Sequence, residues 1–205
     1  MKTVDEVMAL APVIPVLVVD EVAHARPIAE ALVAGGIRAL EVTLRTPAAL
    51  DVIAAMAEVE GALVGAGTVL NGAQLDQSIA AGARFIVSPG LTEGLGRAAI
   101  ARGIPFLPGV SDAADIMRGL DLGLTRFKFF PAEASGGIAA LKALAAPFHQ
   151  CRFCPTGGIT QSSAPDWLAV RAVACVGGSW LVSPGDPDIP SITASAHAAA
   201  ALWHS

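Results

Sequence analysis

The chain has little charge, and no cluster of lysine and arginine occurs along it. Only 15% of its 205 residues are charged, and the formal net charge is −5. Because the phosphates of nucleic acids are bound by basic surfaces, a nucleic-acid partner is not expected. A local positive site can still form on an acidic protein, so a small anionic molecule remains a possible ligand.

Cysteine is also scarce, and the three present are an odd number, which fits a reducing compartment better than a disulfide framework. Cys151 and Cys154 have the spacing of a redox or zinc pair, but no second pair and no nearby pair of histidines completes a metal set. We interpret them as packing residues. The sequence therefore predicts no metal site and no other cofactor.

Long apolar runs are missing as well. The run VMALAPVIPVLVV is shorter than the roughly 20 residues that cross a membrane, and it contains Pro12 and Pro15. Asp5 and Glu6 lie where a signal peptide would carry basic residues, and Thr3 with Glu6 fits the capping box of a short N-terminal helix. We expect a cytoplasmic protein with no membrane partner.

Eight short apolar runs are present, separated by alanine-rich stretches with helical spacing. The runs are VIPVLVV, ALEVTL, LVGAGTV, RFIVSPG, PFLPGV, RFKFFPA, RFCPTGG and AVACVGGSW. Hydrophobic strands that alternate with helices indicate a parallel sheet. Eight such units favour an α/β fold of the (β/α)₈ TIM-barrel type, a single domain over residues 1–205, rather than an open doubly wound sheet, which usually has fewer strands.

Polar residues, glycines and prolines lie late in these runs or just after them. The C-terminal mouth of a parallel barrel is where its active site is built. In LEVTLRTP, alternation places Glu41 and Arg45 on one side of a strand. They are either a buried ion pair or, as we favour, a general acid/base and a clamp for a carboxylate.

Glycine pairs occur near the ends of the last two runs, in PTGGIT and VGGSWL. Successive glycines can turn backbone N–H groups toward an anion, and a following helix would add its positive end. The alternative is a pair of tight turns; the matching positions favour phosphate binding. The earlier VGAGTV has Leu70 in place of the third glycine of a dinucleotide fingerprint, so we interpret Gly67 and Thr68 as a point of close ligand approach.

Lys128 stands among three phenylalanines in RFKFFPAEA, in a chain whose other lysines are Lys2 and Lys142. Alternation turns Phe127 and Phe129 toward the helices and Lys128 inward, where an unpaired ammonium is costly. A desolvated lysine favours the neutral amine, which can attack a carbonyl and form a Schiff base. The alternative is a structural lysine paired with Glu41.

Six motifs in order, EVTLRT, GAGTV, IVSPGLTE, FKFFPAEA, RFCPTGGI and GGSWLV, resemble those of the class I 2-keto-3-deoxy-6-phosphogluconate (KDPG) and 4-hydroxy-2-oxoglutarate (KHG) aldolases. The match runs from about Val13 to about Val182. The resemblance implies a (β/α)₈ barrel, usually a homotrimer, that cleaves a phosphorylated keto acid to pyruvate and glyceraldehyde 3-phosphate.

The resemblance also implies a role for each matching residue. Lys128 would form the Schiff base, and Glu41 would move protons through a bound water. The remaining site residues would hold the pyruvate carboxylate (Arg45, Thr68), wall the site (Pro89, Phe130, Thr156) and bind the phosphate (Gly157, Gly158, Gly178, Ser179).

Two alternatives stay open at this point. One is a related aldolase that prefers the galactonate epimer, because epimer choice rests on one or two contacts that a motif does not reveal. The other is a non-catalytic barrel that binds sugar-acid phosphates, in which Lys128 and Glu41 could be replaced freely.

Overall fold

A computed structural model describes residues 3–204; Lys2 and the outermost ends of the expected 1–205 domain lie outside that range. Its helices are α1 (Val4–Met8), α2 (Val22–Ala34), α3 (Ala49–Ala57), α4 (Gly72–Ala80), α5 (Glu93–Ala101), α6 (Ala113–Asp121), α7 (Gly137–Ala145), α8 (Ala164–Leu168) and α9 (Ile189–Ala200). Its strands are β1 (Val13–Leu17), β2 (Ala39–Thr43), β3 (Leu63–Gly67), β4 (Phe85–Val87), β5 (Phe106–Leu107), β6 (Gly109–Val110), β7 (Arg126–Phe129), β8 (Arg152–Pro155) and β9 (Val176–Gly178).

The predicted alternation of strand and helix is confirmed, and all the strand pairs are parallel. The strands form a six-stranded sheet in the order β5-β4-β3-β2-β1-β9 and a three-stranded sheet in the order β6-β7-β8. Two isolated parallel bridges, Phe153 to Val173 and Thr156 to Gly177, connect the ends of the two sheets. The architecture is therefore a curled parallel sheet covered by helices.

The fifth apolar run differs from expectation because it is divided into β5 and β6 at Pro108. A proline has no backbone N–H to donate, so it interrupts a ladder of hydrogen bonds. The carbonyl of Pro108 still accepts a 2.8 Å hydrogen bond from the backbone N–H of Lys128. As a result β5 pairs with β4, while β6 pairs with β7.

The short N-terminal helix begins as predicted. The side chain of Thr3 accepts from the backbone of Glu6, and the Glu6 carboxylate accepts in return from the backbone N–H of Thr3 at 2.6 Å, which is the reciprocal capping box. In the described part of the chain, no helix is both long enough and apolar enough to span a membrane.

Strand β7 separates its side chains as alternation predicts. Phe127 and Phe129 are fully buried, and their rings contact Phe153 and Trp167 respectively. Gly119 of α6 lies against the Phe127 ring, where an added Cβ would come within 2.3 Å. The outward phenylalanines thus pack under the helices, and Lys128 lies on the opposite side.

The three cysteines are free and buried, in agreement with a packing role. The thiol next to Cys154 is that of Cys175 rather than its sequence neighbour Cys151. A hydrogen bond with Cys154, together with burial, raises the pKa of Cys175 well above its ordinary value. Cys175 is therefore placed as a neutral packing group.

Candidate active site

Lys128 and Glu41 meet inside the parallel sheet. The Lys128 ammonium donates to Glu41 Oε1 at 3.1 Å, and the two side chains are only 5% and 3% exposed. Glu41 comes from β2 and Lys128 from β7, so the partner that is missing from the lysine's own strand is supplied from another strand. The expectation of an unpaired lysine is therefore wrong: Lys128 is paired with Glu41, the proposed acid/base.

Two further contacts hold the pair in place. The Lys128 ammonium lies 5.2 Å from the centre of the Phe130 ring, within the range of a cation–π interaction. An added Cβ on Gly67 would lie 2.3 Å from Glu41 Oε1 and 2.6 Å from Cγ. The space at Gly67 is thus filled by the Glu41 side chain, which corrects the interpretation of Gly67 as a point of close ligand approach.

Arg45 and Thr68 are brought together at the ends of β2 and β3. The Arg45 Nε–H donates to Thr68 Oγ1 at 3.4 Å, a long hydrogen bond that leaves most of the guanidinium free. Thr68 has φ of 60°, a left-handed conformation that is costly for a β-branched residue. The alternative pairing of Glu41 with Arg45 is not adopted, since Glu41 bonds to Lys128.

A cavity of about 210 Å³ is bounded by Phe130, whose ring lies beside the Lys128 ammonium, while Lys128 and Glu41 themselves are not among its lining residues. Six of the predicted site residues line it: Arg45, Phe130, Thr156, Gly157, Gly158 and Ser179. Sequence reasoning missed three more lining residues, Val16, Ile159 and Gly177. Val16 is the register partner of Glu41, so a correct alignment of β1 with β2 would have found it.

Three other predicted residues, Gly178, Pro89 and Thr68, are not among those that line the cavity. Gly178 is buried under the Trp180 ring, where an added Cβ would come within 2.0 Å, and its neighbour Gly177 faces the cavity instead. Pro89 lies against Gly109, which is the register partner of Lys128. Thr68 contacts Arg45, which lines the cavity.

The glycines of the first predicted phosphate loop have the backbone conformation that such a loop needs. Gly157 and Gly158 have φ of 102° and 82°, a region that other residues rarely adopt. The next helices begin only at Ala164 and Ile189. Helices therefore follow both glycine pairs, as expected, but several loop residues separate each pair from its helix.

Glu133 contacts both the loop at Gly157 and Gly158 and the buried core, a role that the sequence did not reveal. Its backbone N–H donates to the Gly157 carbonyl at 3.1 Å, and its Cβ and Cγ would lie 2.7 Å from a Cβ on Gly158. Its carboxylate accepts a 3.0 Å hydrogen bond from the indole N–H of Trp167, whose ring is buried. Glu133 therefore fixes the loop to the core.

The charged and polar groups converge at the carboxyl ends of parallel strands, where enzymes of this architecture have their active sites. A buried lysine–carboxylate pair can exchange a proton, and the adjoining cavity offers an arginine and glycine loops to an anion. This arrangement defines an enzyme site for an anionic carbonyl compound. Within residues 3–204, no group of three or more His, Cys, Asp and Glu side chains is placed to hold a metal ion.

Comparisons with known proteins agree with this class. Residues 4–195 match the profile of the KDPG and KHG aldolases. The KDPG aldolase of Zymomonas mobilis, solved with 3-phosphoglycerate, is 61% identical and superposes with a TM-score of 0.96 over 97% of this chain and 95% of that one.

Two other relatives extend the comparison. The KHG/KDPG aldolase of Escherichia coli K12 is 56% identical over 89% of this chain and 85% of its own. The KDPG aldolase of Legionella pneumophila, captured with pyruvate as a covalent carbinolamine, is 45% identical with a TM-score of 0.92 over 97% and 98% of the two chains. The chain belongs to the KDPG and KHG aldolase family.

Proposed function

We propose that this protein is a class I aldolase that cleaves 2-dehydro-3-deoxy-6-phosphogluconate to pyruvate and glyceraldehyde 3-phosphate through a lysine Schiff base. The same site would cleave 4-hydroxy-2-oxoglutarate to pyruvate and glyoxylate. The observation that carries the proposal is the buried 3.1 Å contact between Lys128 and Glu41 beside a cavity lined by Arg45. Family membership and the carbinolamine captured in the Legionella relative support it.

Lys128 would begin the reaction by passing a proton to Glu41, which frees the nitrogen lone pair. The amine adds to the C2 carbonyl, and the carbinolamine loses its hydroxyl as water, with Glu41 returning the proton that this step needs. The product is an iminium ion between Lys128 and C2. Its positive charge makes it the electron sink for the next step.

Cleavage would then break the C3–C4 bond. Its electron pair flows into the iminium to give an enamine, while Glu41, directly or through a water, takes the C4 hydroxyl proton. Glyceraldehyde 3-phosphate leaves. Glu41 returns the proton to C3, and hydrolysis of the iminium releases pyruvate and restores the lysine.

Binding of the two anionic ends would orient the substrate. Arg45, with Thr68 beside it, is assigned to the carboxylate, because a guanidinium fork matches that group. The backbone of Gly157, Gly158 and Gly178 and the side chain of Ser179 are assigned to the phosphate, and Pro89, Phe130 and Thr156 to the walls. Gly178 would act through the loop that it shapes, since Gly177 lines the cavity.

We also infer the larger organisation. Two features support a closed (β/α)₈ barrel formed by a single domain over residues 1–205. Two bridges connect the sheets at one side, and at the other the fifth apolar run supplies β5 to one sheet and β6 to the other. The family resemblance supports a homotrimer of the Entner–Doudoroff pathway in the cytoplasm. Light scattering of the purified protein tests the assembly, with a mass near three times 20.7 kDa expected.

Turnover of purified protein on three substrates tests the function. We expect cleavage of the phosphogluconate compound and of 4-hydroxy-2-oxoglutarate, measured as pyruvate released. A clear preference for the 6-phosphogalactonate epimer would mean that this epimer, and not the phosphogluconate compound, is the main substrate. The absence of pyruvate from all three would overturn the proposal and favour the non-catalytic alternative.

A further inference from the structure

A second cavity, of about 440 Å³, lies among α7, the start of β8 and the loop between α8 and β9. Four of its lining residues can carry positive charge: Lys142, His149, Arg152 and Arg171. The other four are small and apolar: Ala145, Ala146, Val170 and Ala172. No carboxylate is among these eight, although the chain has 18 acidic and 13 basic residues.

The cavity is remote from the active site along the strand direction. Arg152 is the first residue of β8, whereas Thr156, which lines the active-site cavity, follows its last residue. Four residue steps of about 3.3 Å place them roughly 13 Å apart along the strand. The two cavities are thus at opposite ends of the sheet.

The lysine and arginine side chains at this cavity belong to the half of the cations within residues 3–204 that form no ion pair. Six lysine and arginine side chains form ion pairs with Asp or Glu: Arg26, Arg97, Arg102, Arg118, Arg126 and Lys128. Within residues 3–204, Lys142, Arg152 and Arg171 form no ion pair with a carboxylate. Gathering like charges without counter-ions is unfavourable, and a bound anion would relieve the repulsion.

Two hydrogen bonds to backbone carbonyls fix the position of the Arg152 side chain. Its Nη1 donates to the carbonyls of His149 at 3.1 Å and Cys151 at 2.9 Å. These bonds fix the guanidinium beside the cavity, while its Nε and Nη2 groups are not used by them. The loop with Arg171 is fixed too, because the Ala172 carbonyl accepts from the backbone of Phe153 at 2.9 Å.

We propose that this cavity binds a small organic polyanion, such as a carboxylic acid with two or more negative charges, whose carbon skeleton packs on the alanines and Val170. The cavity volume falls in the range of small-molecule sites. The proposal does not depend on the aldolase function.

Citrate titration followed by NMR of His149 tests the proposal, with sodium chloride at equal ionic strength as the monoanion control. The chain has four histidines, and the His149 ring resonance is assigned by its loss in His149→Gln. We expect a saturable shift with citrate and none with chloride. The variant Lys142→Gln/Arg171→Gln should weaken the apparent affinity by about tenfold or more, since charge-assisted hydrogen bonds are lost.

The matched control is Arg38→Gln/Arg84→Gln, which removes the same net charge from two exposed arginines that directly precede β2 and β4. It should titrate like the original protein, and circular dichroism should show that both variants are folded. Equal weakening in both variants, no saturable shift, or an equal shift with chloride would overturn the proposal. A His149 resonance that responds to protein dilution instead would mean that a second copy covers the cavity, which also overturns it.

Discussion

Replacing Gly67 by alanine would place a methyl group where the structure has the Glu41 carboxylate. The new Cβ would lie 2.3 Å from Oε1, against an ordinary contact distance of 3.4 Å or more, so the carboxylate must move by about 1 Å. Glu41 is buried and 3.1 Å from Lys128, and a movement of that size disturbs their contact. Misplacing a reacting group by 1 Å can cost about 10²-fold in rate, or about 2.7 kcal/mol in the barrier.

Steady-state cleavage of the phosphogluconate substrate, with pyruvate measured through lactate dehydrogenase, would give kcat and KM for Gly67→Ala. We expect kcat to fall by about 10²-fold, with a smaller change in KM, because Arg45 and the glycine loops are not displaced. Overpacking should also reduce the free energy of unfolding by roughly 1–3 kcal/mol, so stability has to be measured separately.

Gly65→Ala is the matched control in the same strand. Its added Cβ would come within 2.4 Å of the Phe85 ring, so it overpacks the core as Gly67→Ala does, but the atoms nearest to it belong to Phe85 and not to Glu41. We expect a similar loss of stability with kcat nearly unchanged. If Gly67→Ala keeps the original kcat, or if Gly65→Ala loses as much, the assigned role of the Glu41 position is refuted.

Three further variants test separate parts of the account. Arg45→Ala should raise KM by about tenfold or more through loss of charge-assisted contacts, and an unchanged KM would remove Arg45 from the binding site. Glu133→Ala should raise KM for the phosphorylated substrate but not for 4-hydroxy-2-oxoglutarate, with Glu133→Gln, which keeps an acceptor for Trp167, affected less; equal effects on both substrates would refute its support of the phosphate loop. A hydrogen bond from Arg102 lowers the pKa of Asp76 from its ordinary value of 3.8. The ionised carboxylate therefore stabilises the fold above pH 3.8, and this contribution is lost as the pH falls through the folded pKa. Asp76→Asn should therefore lower Tm near neutral pH and not in strong acid, and a Tm difference that persists in acid would contradict this.

Much of the site could be predicted because local rules decide it. Alternation along β2 and β7 correctly turned Glu41 and Lys128 to the inside and Phe127 and Phe129 to the core. The end-of-strand positions of Arg45 and Thr156 likewise followed from parallel topology, in which the carboxyl ends of strands share one edge.

What could not be predicted depends on contacts between distant segments. The distance from β2 to β7 is set by the curl of the whole sheet, so the sequence left open whether Lys128 is alone or paired. The need for glycine at position 67 comes from a side chain of another strand. The same holds for Gly178, whose neighbour Gly177 faces the cavity because the Trp180 ring covers Gly178 itself.

The basic cavity likewise depends on contacts between segments that are distant in the sequence. Its charged residues are separated in the sequence by up to 29 positions, from Lys142 to Arg171, so no basic cluster appears along the chain. Folding brings α7, β8 and the loop before β9 together and creates a positive region on an acidic protein. Net charge alone could exclude a broad basic face but not a local anion site.

The central claim is that Lys128 forms a Schiff base with the keto acid, and reduction with borohydride in the presence of pyruvate tests it most directly. Reduction converts the iminium to a stable amine, and mass analysis of the digested protein locates the added group. We expect the adduct on Lys128 alone and none in Lys128→Ala, which should also lack cleavage activity. An adduct on Lys2 or Lys142, or no adduct in an active enzyme, would contradict the account.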